Sequence, residues 1–174
     1  MTFDEMSEGT TVYLDANVFL YDFNGASKDC ARLIQRCREE SIYGITSCLT
    51  LAEFCHRAMC MEAQEHLKAK GIKVGRPRDY LEEHPDTVKI LHKYIAAIDE
   101  ILLWARPRVL SVDAEQVRRS KKIRQRYGLL TNDSLVVQIL LDNDIQAIAT
   151  NDTAFSSIEG LRVFRPNDIN PGGV

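Results

Sequence analysis

A chain of 174 residues is long enough for one domain with a real core, and it needs no metal or disulfide staple to hold together. With 22 basic against 25 acidic side chains the net charge is −3, which excludes a protein that is basic overall, so any nucleic-acid contact must be local. No apolar run is long enough to span a bilayer, because Asp15, Glu53, Asp133 and Asp142 interrupt the candidates, and the polar, acidic start has no secretory-signal pattern; a cytoplasmic protein with no membrane contact is expected.

Thr10 to Leu14 reads as a buried strand that runs into an Asp-Ala-Asn break. Asn17 to Tyr21 is expected to form a short helical turn, and Ser27 to Glu40 a helix with Ala31, Ile34 and Cys37 or Arg38 at helical spacing. A second strand from about Ile42 ends at Gly44-Ile45-Thr46, and a helix from Leu49 or Thr50 runs to about Lys68, stopped by Gly71. Lys70 to Pro85, with two glycines, two prolines and mixed charge, is expected to be a loop. One long amphipathic helix follows from about Asp86 to Ala105, with Val88, Leu91, Ile95, Ile98 and Leu102 three or four apart, and Pro107 ends it.

Val109 to Val112 is a further short strand, and Asp113 caps a helix that continues through Tyr127 to a stop at Gly128. Thr131 to Asn143 makes the next helix, with Leu135, Ile139, Val136 and Leu140 facing inward. Gln146 to Ala149 and Leu161 to Phe164 are the last strands, before a polar tail containing proline and glycine. Strands that are apolar on both faces and alternate with helices imply an α/β fold with a parallel sheet covered by helices, in a single domain over 1–174. The cysteines Cys30 and Cys37, Cys48 and Cys55 each lie seven apart, too far along a helix to bridge, and no Cys-x-x-Cys pair supports zinc around Cys55, His56 and Cys60; small buried or half-buried thiols are expected.

Four acids stand beside small polar residues next to apolar stretches: Asp15 in Asp15-Ala16-Asn17, Glu53 in Thr50-Leu51-Ala52-Glu53, Asp133 in Thr131-Asn132-Asp133-Ser134, and Asp152 in Thr150-Asn151-Asp152-Thr153. Each has an ordinary structural reading. Thr50 and Glu53 match a helix capping box, Asp133 sits in a first helical turn, and Asp15 and Asp152 suit turns after strands. Taken together they point elsewhere, because strand C-termini and the helix starts after them share one edge of an open parallel sheet. Asp15, Glu53 and Asp152 fall at such positions, whereas Asp133 follows a helix. Carboxylates gathered beside apolar residues are costly without a partner, and a hard divalent cation takes oxygen ligands.

The four segments resemble the motifs of the PIN-domain nuclease family, many of whose members are VapC-type toxins. Val12 to Leu20 resembles the opening strand, Asp-x-Asn and helix; Thr46 to Phe54 the second motif with its Glu; Leu130 to Val136 the third; and Ile148 to Phe155 the fourth. The similarity runs from about Thr11 to Arg165, with an enlarged helical segment between the second and third motifs, around Lys70 to Arg108. It implies a three-layer α/β/α sandwich with a short parallel sheet of four to five strands. It also implies a ribonuclease dependent on Mg²⁺ or Mn²⁺, with Asp15, Glu53, Asp133 and Asp152 as catalytic metal ligands, RNA as substrate, and cleavage of phosphodiester bonds. An antitoxin protein is the implied partner if the chain is a toxin, as is a homodimer built on the apolar sides of the early helices. An RNA-processing nuclease and an inactive PIN-like binding module are the alternatives.

Asn17, Thr150 and Asn151 are candidates for hydrogen bonds that fix carboxylate orientation, Thr150 also for holding a water or phosphate; each serves equally well as a turn or capping residue. Arg118, Arg119, Lys121, Lys122, Arg124 and Arg126 crowd one expected helix before the third acid, a local reversal of sign able to meet a phosphate backbone or merely a solvated face. Arg76 and Arg78 are weaker candidates. A phosphatase with an aspartyl nucleophile would want a second acid two residues after Asp15, where Asn17 stands.

Overall fold

The computed structural model describes residues 1–105 and 108–170, so the expected stop at Pro107 and the last four residues of the tail lie outside the described residues. Five strands, β1 (Thr11–Leu14), β2 (Tyr43–Ser47), β3 (Val109–Leu110), β4 (Ala147–Ala149) and β5 (Arg162–Phe164), form one sheet in the order β3-β2-β1-β4-β5. Every pairing is parallel, with Tyr13 opposite Ile45 on one side and Ile148 on the other. The order turns back between β1 and β4, and the crevice beyond the carboxyl ends of those two strands is where such sheets bind ligands.

Helices cover both faces, as the alternation of β1 requires. Val12 and Leu14 pack with α1 (Ala16–Phe23), α2 (Lys28–Arg38), α3 (Cys48–Ala69) and α6 (Lys93–Ala105), whereas Tyr13 packs with α8 (Lys121–Tyr127) and α9 (Thr131–Asp142). The three-layer α/β/α arrangement expected of the chain is therefore present. Gly44 in β2 allows this closeness, since a Cβ there would lie 2.8 Å from Cys37 Sγ and 2.9 Å from Leu14 Cδ1. The apolar residues of α1 and α2, among them Phe19, Leu20, Leu33 and Ile34, are buried in this chain's own core, so those helices do not offer the exposed apolar side expected of them. Among the described residues no helix is long and apolar enough to cross a membrane.

The segment between the second and third motifs differs most from expectation. The loop expected over Lys70 to Pro85 contains α4 (Pro77–Glu83), and Pro85 opens α5 (Pro85–Ile90). Both prolines occupy first-turn positions, where a missing N–H costs nothing, so they start helices instead of breaking them. The single helix expected over Asp86 to Ala105 is two helices, because Leu91 turns to extended backbone (φ −77°, ψ 133°) and buries itself with Ala63 and Leu81. Glu62, itself buried, then seals the start of α6: Oε1 accepts from the N–H groups of His92 (2.9 Å) and Lys93 (3.0 Å), and Oε2 from Tyr94 (3.0 Å).

The helix expected from Asp113 through Tyr127 is also divided, into α7 (Ala114–Arg119) and α8, at Ser120, whose Oγ donates back to the Val117 carbonyl. Gly128 in the left-handed conformation stops α8 as expected (φ 69°). All five cysteines are free thiols; Cys30 and Cys37 are buried and Cys55 and Cys60 half-buried, but Cys48 is exposed.

Candidate functional site

Asp15, Glu53, Asp133 and Asp152 line one cavity of about 230 Å³ at the crevice between the ends of β1 and β4, together with Asn17, Tyr21, Arg57, Asn132, Val136, Asn151 and Thr153. Each acid arrives on a different element. Asp15 follows β1 and caps α1, Glu53 lies in the second turn of α3, Asp133 in the first turn of α9, and Asp152 follows β4. Asp133 is brought to the sheet edge by α9, which packs across the face of the sheet beneath it.

The capping-box reading of Thr50 and Glu53 does not hold. Ser47 is the cap of α3, its Oγ accepting from the Thr50 N–H at 3.3 Å, which leaves Glu53 to face the cavity. The phenol of Tyr13, from β1, is within 2.6 Å of both Ser47 Oγ and Thr50 Oγ1 and so ties the start of α3 to the central strand. The other acids do serve local backbone while lining the cavity: Asp15 Oδ1 accepts from Ala16 N–H at 2.7 Å, and Asp152 Oδ1 from Ala154 N–H at 2.8 Å. The structural and functional readings are compatible here.

A polar lattice under the cavity fixes two of the acids. Thr150 donates its hydroxyl hydrogen to Asp15 Oδ2 at 2.6 Å and accepts from the Asp152 N–H and the Asn17 amide, both at 3.0 Å. Asn17 Nδ2 also donates to Asp15 Oδ2 at 2.6 Å, and Asn17 Oδ1 accepts from the Asn151 N–H at 3.0 Å. Asn151 reaches on to the Asn170 carbonyl (2.8 Å) and the Tyr21 hydroxyl (3.2 Å). All three residues expected to orient carboxylates are therefore in this lattice. Thr150 is fully buried with its proton committed to Asp15, so it is a strut under the site and does not hold a water or phosphate in the cavity.

The cavity's chemistry is that of crowded carboxylates. Burial pushes the Asp15 carboxyl up from 3.8 to about 6; hydrogen bonds from Thr150 and Ala16 oppose that rise, and the charges of Glu53 and Asp152 add to it. Asp133 is raised as well, by burial first and then by Asp152 and Glu53. Among the described residues no three His, Cys, Asp or Glu side chains converge into a ready cage for an ion. A magnesium-sized cation does not need one, since it binds through one or two carboxylates and keeps several waters. The all-oxygen donor set and its surplus of negative charge fit a hard divalent cation of that kind.

The basic run expected to meet RNA lies elsewhere. None of its six residues lines the acidic cavity. Arg118 pairs with Glu115, Arg119 makes two 2.7 Å bonds to Asp142, and Arg126 bonds Glu159 at 2.9 Å. Arg124 joins Ser120 to Ser134, each at 3.0 Å, and so ties α8 to α9. Lys121 and Lys122 are exposed and make no ion pair among the described residues. Arg57, by contrast, is in the cavity and had escaped sequence reasoning; its signal was the four-residue spacing from Glu53, which places both on one face of α3.

A doubly wound parallel sheet whose switch-point crevice holds four acids from four elements defines a class of α/β site protein. Residues 12–161, which include all four acids, match the family model described as PIN domain, and the chain belongs to that family. It is similar to ribonuclease VapC2 of Methanocaldococcus jannaschii, at 23% identity over 157 residues that cover 90% of this chain and 95% of that protein. Among solved structures its fold is similar to one in the crystal structure of VapBC2 from Rickettsia felis bound to a DNA fragment from their promoter, with a TM-score of 0.53 and 14% identity over 90% of this chain and 98% of the other.

Proposed function

We propose that this chain is a divalent-metal-dependent endoribonuclease and the toxin of a type II toxin–antitoxin pair. The observation that carries the reading is the convergence of Asp15, Glu53, Asp133 and Asp152 on one cavity at the switch point of the sheet. Asp15, Glu53, Asp133 and Asp152 would hold Mg²⁺ or Mn²⁺, some of them through water. When bound, the ion supplies Lewis-acid activation of the attacking water and neutralises charge at the phosphate. The chain's own work is positional. Thr150 and Asn17 hold Asp15 in one orientation, Thr150 also fixes the backbone at Asp152, and Tyr13 sets the start of α3 and so the height of Glu53.

The ribonuclease name of the archaeal relative supports RNA as the substrate, and the paired name of the rickettsial complex supports an antitoxin partner. Five free thiols fit a reducing cytoplasm. Cleavage of single-stranded RNA should require Mg²⁺ or Mn²⁺, stop with EDTA, and be lost in Asp15→Asn. Wild-type protein that leaves RNA intact under all these conditions would end the nuclease reading. Expression alone should slow growth and Asp133→Asn should relieve it; equal growth of the two would assign the chain to RNA processing instead of toxicity.

A further inference from the structure

Among the described residues, Arg57 is the one basic side chain lining the acidic cavity. Its polar contacts among the described residues reduce to a single long approach, Nη1 to Glu53 Oε1 at 3.5 Å, with both side chains about a third exposed. A partly exposed i,i+4 pair of that kind stabilises a helix only weakly, so releasing it costs little. Other arginines are engaged differently: Arg36 holds the carbonyls of Phe3 and Met6, Arg124 bridges two helices, and Arg119 grips Asp142 with two nitrogens. Arg57 holds no two elements together. A planar guanidinium with most of its donors uncommitted, facing a crevice otherwise lined by carboxylates and neutral side chains, is built for a bidentate grip on an anion.

We propose that Arg57 is a substrate-contacting residue that grips a non-bridging phosphate oxygen of RNA once Glu53 is engaged by the cation. The inference rests on the nuclease reading above and names the group that recognises its substrate. Glu53 would thus have two positive partners in turn, the Arg57 guanidinium and the ion. With Glu53 holding a cation, the Arg57 fork would be free to take a phosphate oxygen. The four carboxylates would otherwise repel the polyanion, and a positive group on the rim gives the phosphate a fixed approach.

The test uses the full chain with Arg57→Ala and Arg57→Lys and a fluorescein-labelled single-stranded RNA of mixed sequence. RNA affinity is read by anisotropy over a salt series in the otherwise unaltered chain with Ca²⁺ as the cation, under conditions where no cleavage is seen, and single-turnover cleavage with Mn²⁺. Arg57→Ala should slow cleavage on the order of tenfold or more. It should also make the slope of log affinity against log salt shallower by about 0.7, the value for one lost contact on a single strand. Arg57→Lys should keep the salt slope and recover only part of the rate, since it retains the charge and loses the fork. Calorimetry should show Mn²⁺ bound by Arg57→Ala as tightly as by wild type or more so, which removes lost metal as the cause of a slower rate. An unchanged salt slope in Arg57→Ala overturns the inference. Wild-type protein that binds RNA through Arg57 without cleaving it overturns the nuclease reading alone.

Discussion

Thr150 Oγ1 lies 2.6 Å from Asp15 Oδ2 and joins the ends of two adjacent parallel strands across 135 residues of chain. The same oxygen accepts from the Asp152 N–H, so one hydroxyl sets the position of two of the four acids. Thr150→Val keeps the shape and removes the donor. It should destabilise the protein by about 1–3 kcal/mol, the cost of stranding buried polar partners. It should also weaken Mn²⁺ binding by roughly 10- to 100-fold, as loss of a ligand's supporting hydrogen bond does in other metal sites. Urea unfolding and calorimetry measure the two effects; a variant that loses stability but binds Mn²⁺ normally would reduce Thr150 to a packing residue.

The raised Asp15 carboxyl gives the metal-free protein a specific pH response. Because folding raises this pKa, the folded state binds the proton more tightly than the unfolded one. The associated stability is complete below 3.8 and lost as pH rises through about 6. Asp133 acts in the same direction. Groups with lowered values, such as Glu62 and Asp142, act oppositely and lose their contribution in acid, so the useful measurement is a difference. In EDTA, the melting temperature of wild type minus that of Asp15→Asn should fall as pH rises across this window. Saturating Mn²⁺ should reverse the trend, since the cation binds the deprotonated carboxylates. A difference that stays flat with pH in EDTA would mean Asp15 is not strained in the folded protein.

The sequence made most of the frame and three of the acids legible, because both follow from local rules. β1 and β4 are short apolar runs that stop at Asp15 and just before Asp152, and a parallel sheet places strand ends together. Asp133 was not derivable that way. It reaches the crevice on α9, whose packing across the sheet is a tertiary fact, and only family resemblance put it there. Arg57 escaped for a related reason: a Glu and an Arg four apart look like any solvated helix pair until the cavity is seen. The broken helices were hidden by a misleading periodicity. Val88 and Leu91 join a satellite cluster with Leu81, Ile98 packs on the main core, and Ile95 between them is 46% exposed, so one apparent stripe serves two cores.

Gly44→Ala tests how tightly β2 is packed against α2 and β1. The added methyl would sit 2.8 Å from Cys37 Sγ and 2.9 Å from Leu14 Cδ1, both on buried side chains, so one of them must shift. Overpacking of this kind costs about 1–3 kcal/mol. Cys37→Ala should recover part of the loss in the double variant, measured by urea unfolding, because it removes the nearest obstructing atom. Additive losses in the two substitutions would show that the strain is relieved elsewhere.

Glu62 should be the anchor of the inserted segment. Burial by itself raises a carboxyl, but the N–H groups of Lys93, Tyr94 and His92 outweigh it and hold Glu62 below the ordinary carboxylate range. Its contribution is therefore present at neutral pH and disappears as acid protonates it. Glu62→Ala strands three backbone donors at the start of α6 and should cost about 3 kcal/mol; Glu62→Gln retains one acceptor oxygen and should cost about half as much. Hydrogen exchange locates the damage: the amides of Lys93, Tyr94 and Ala96 should lose protection first, while those of β1 and β4 keep theirs. Glu53 and Arg57 lie one to three turns back along α3, on helix held by Tyr13 and Phe54, so Mn²⁺ binding should survive in both variants. If fraying instead spread through α3 and abolished Mn²⁺ binding, the inserted helices would be part of the site's support and not an appendage beside it.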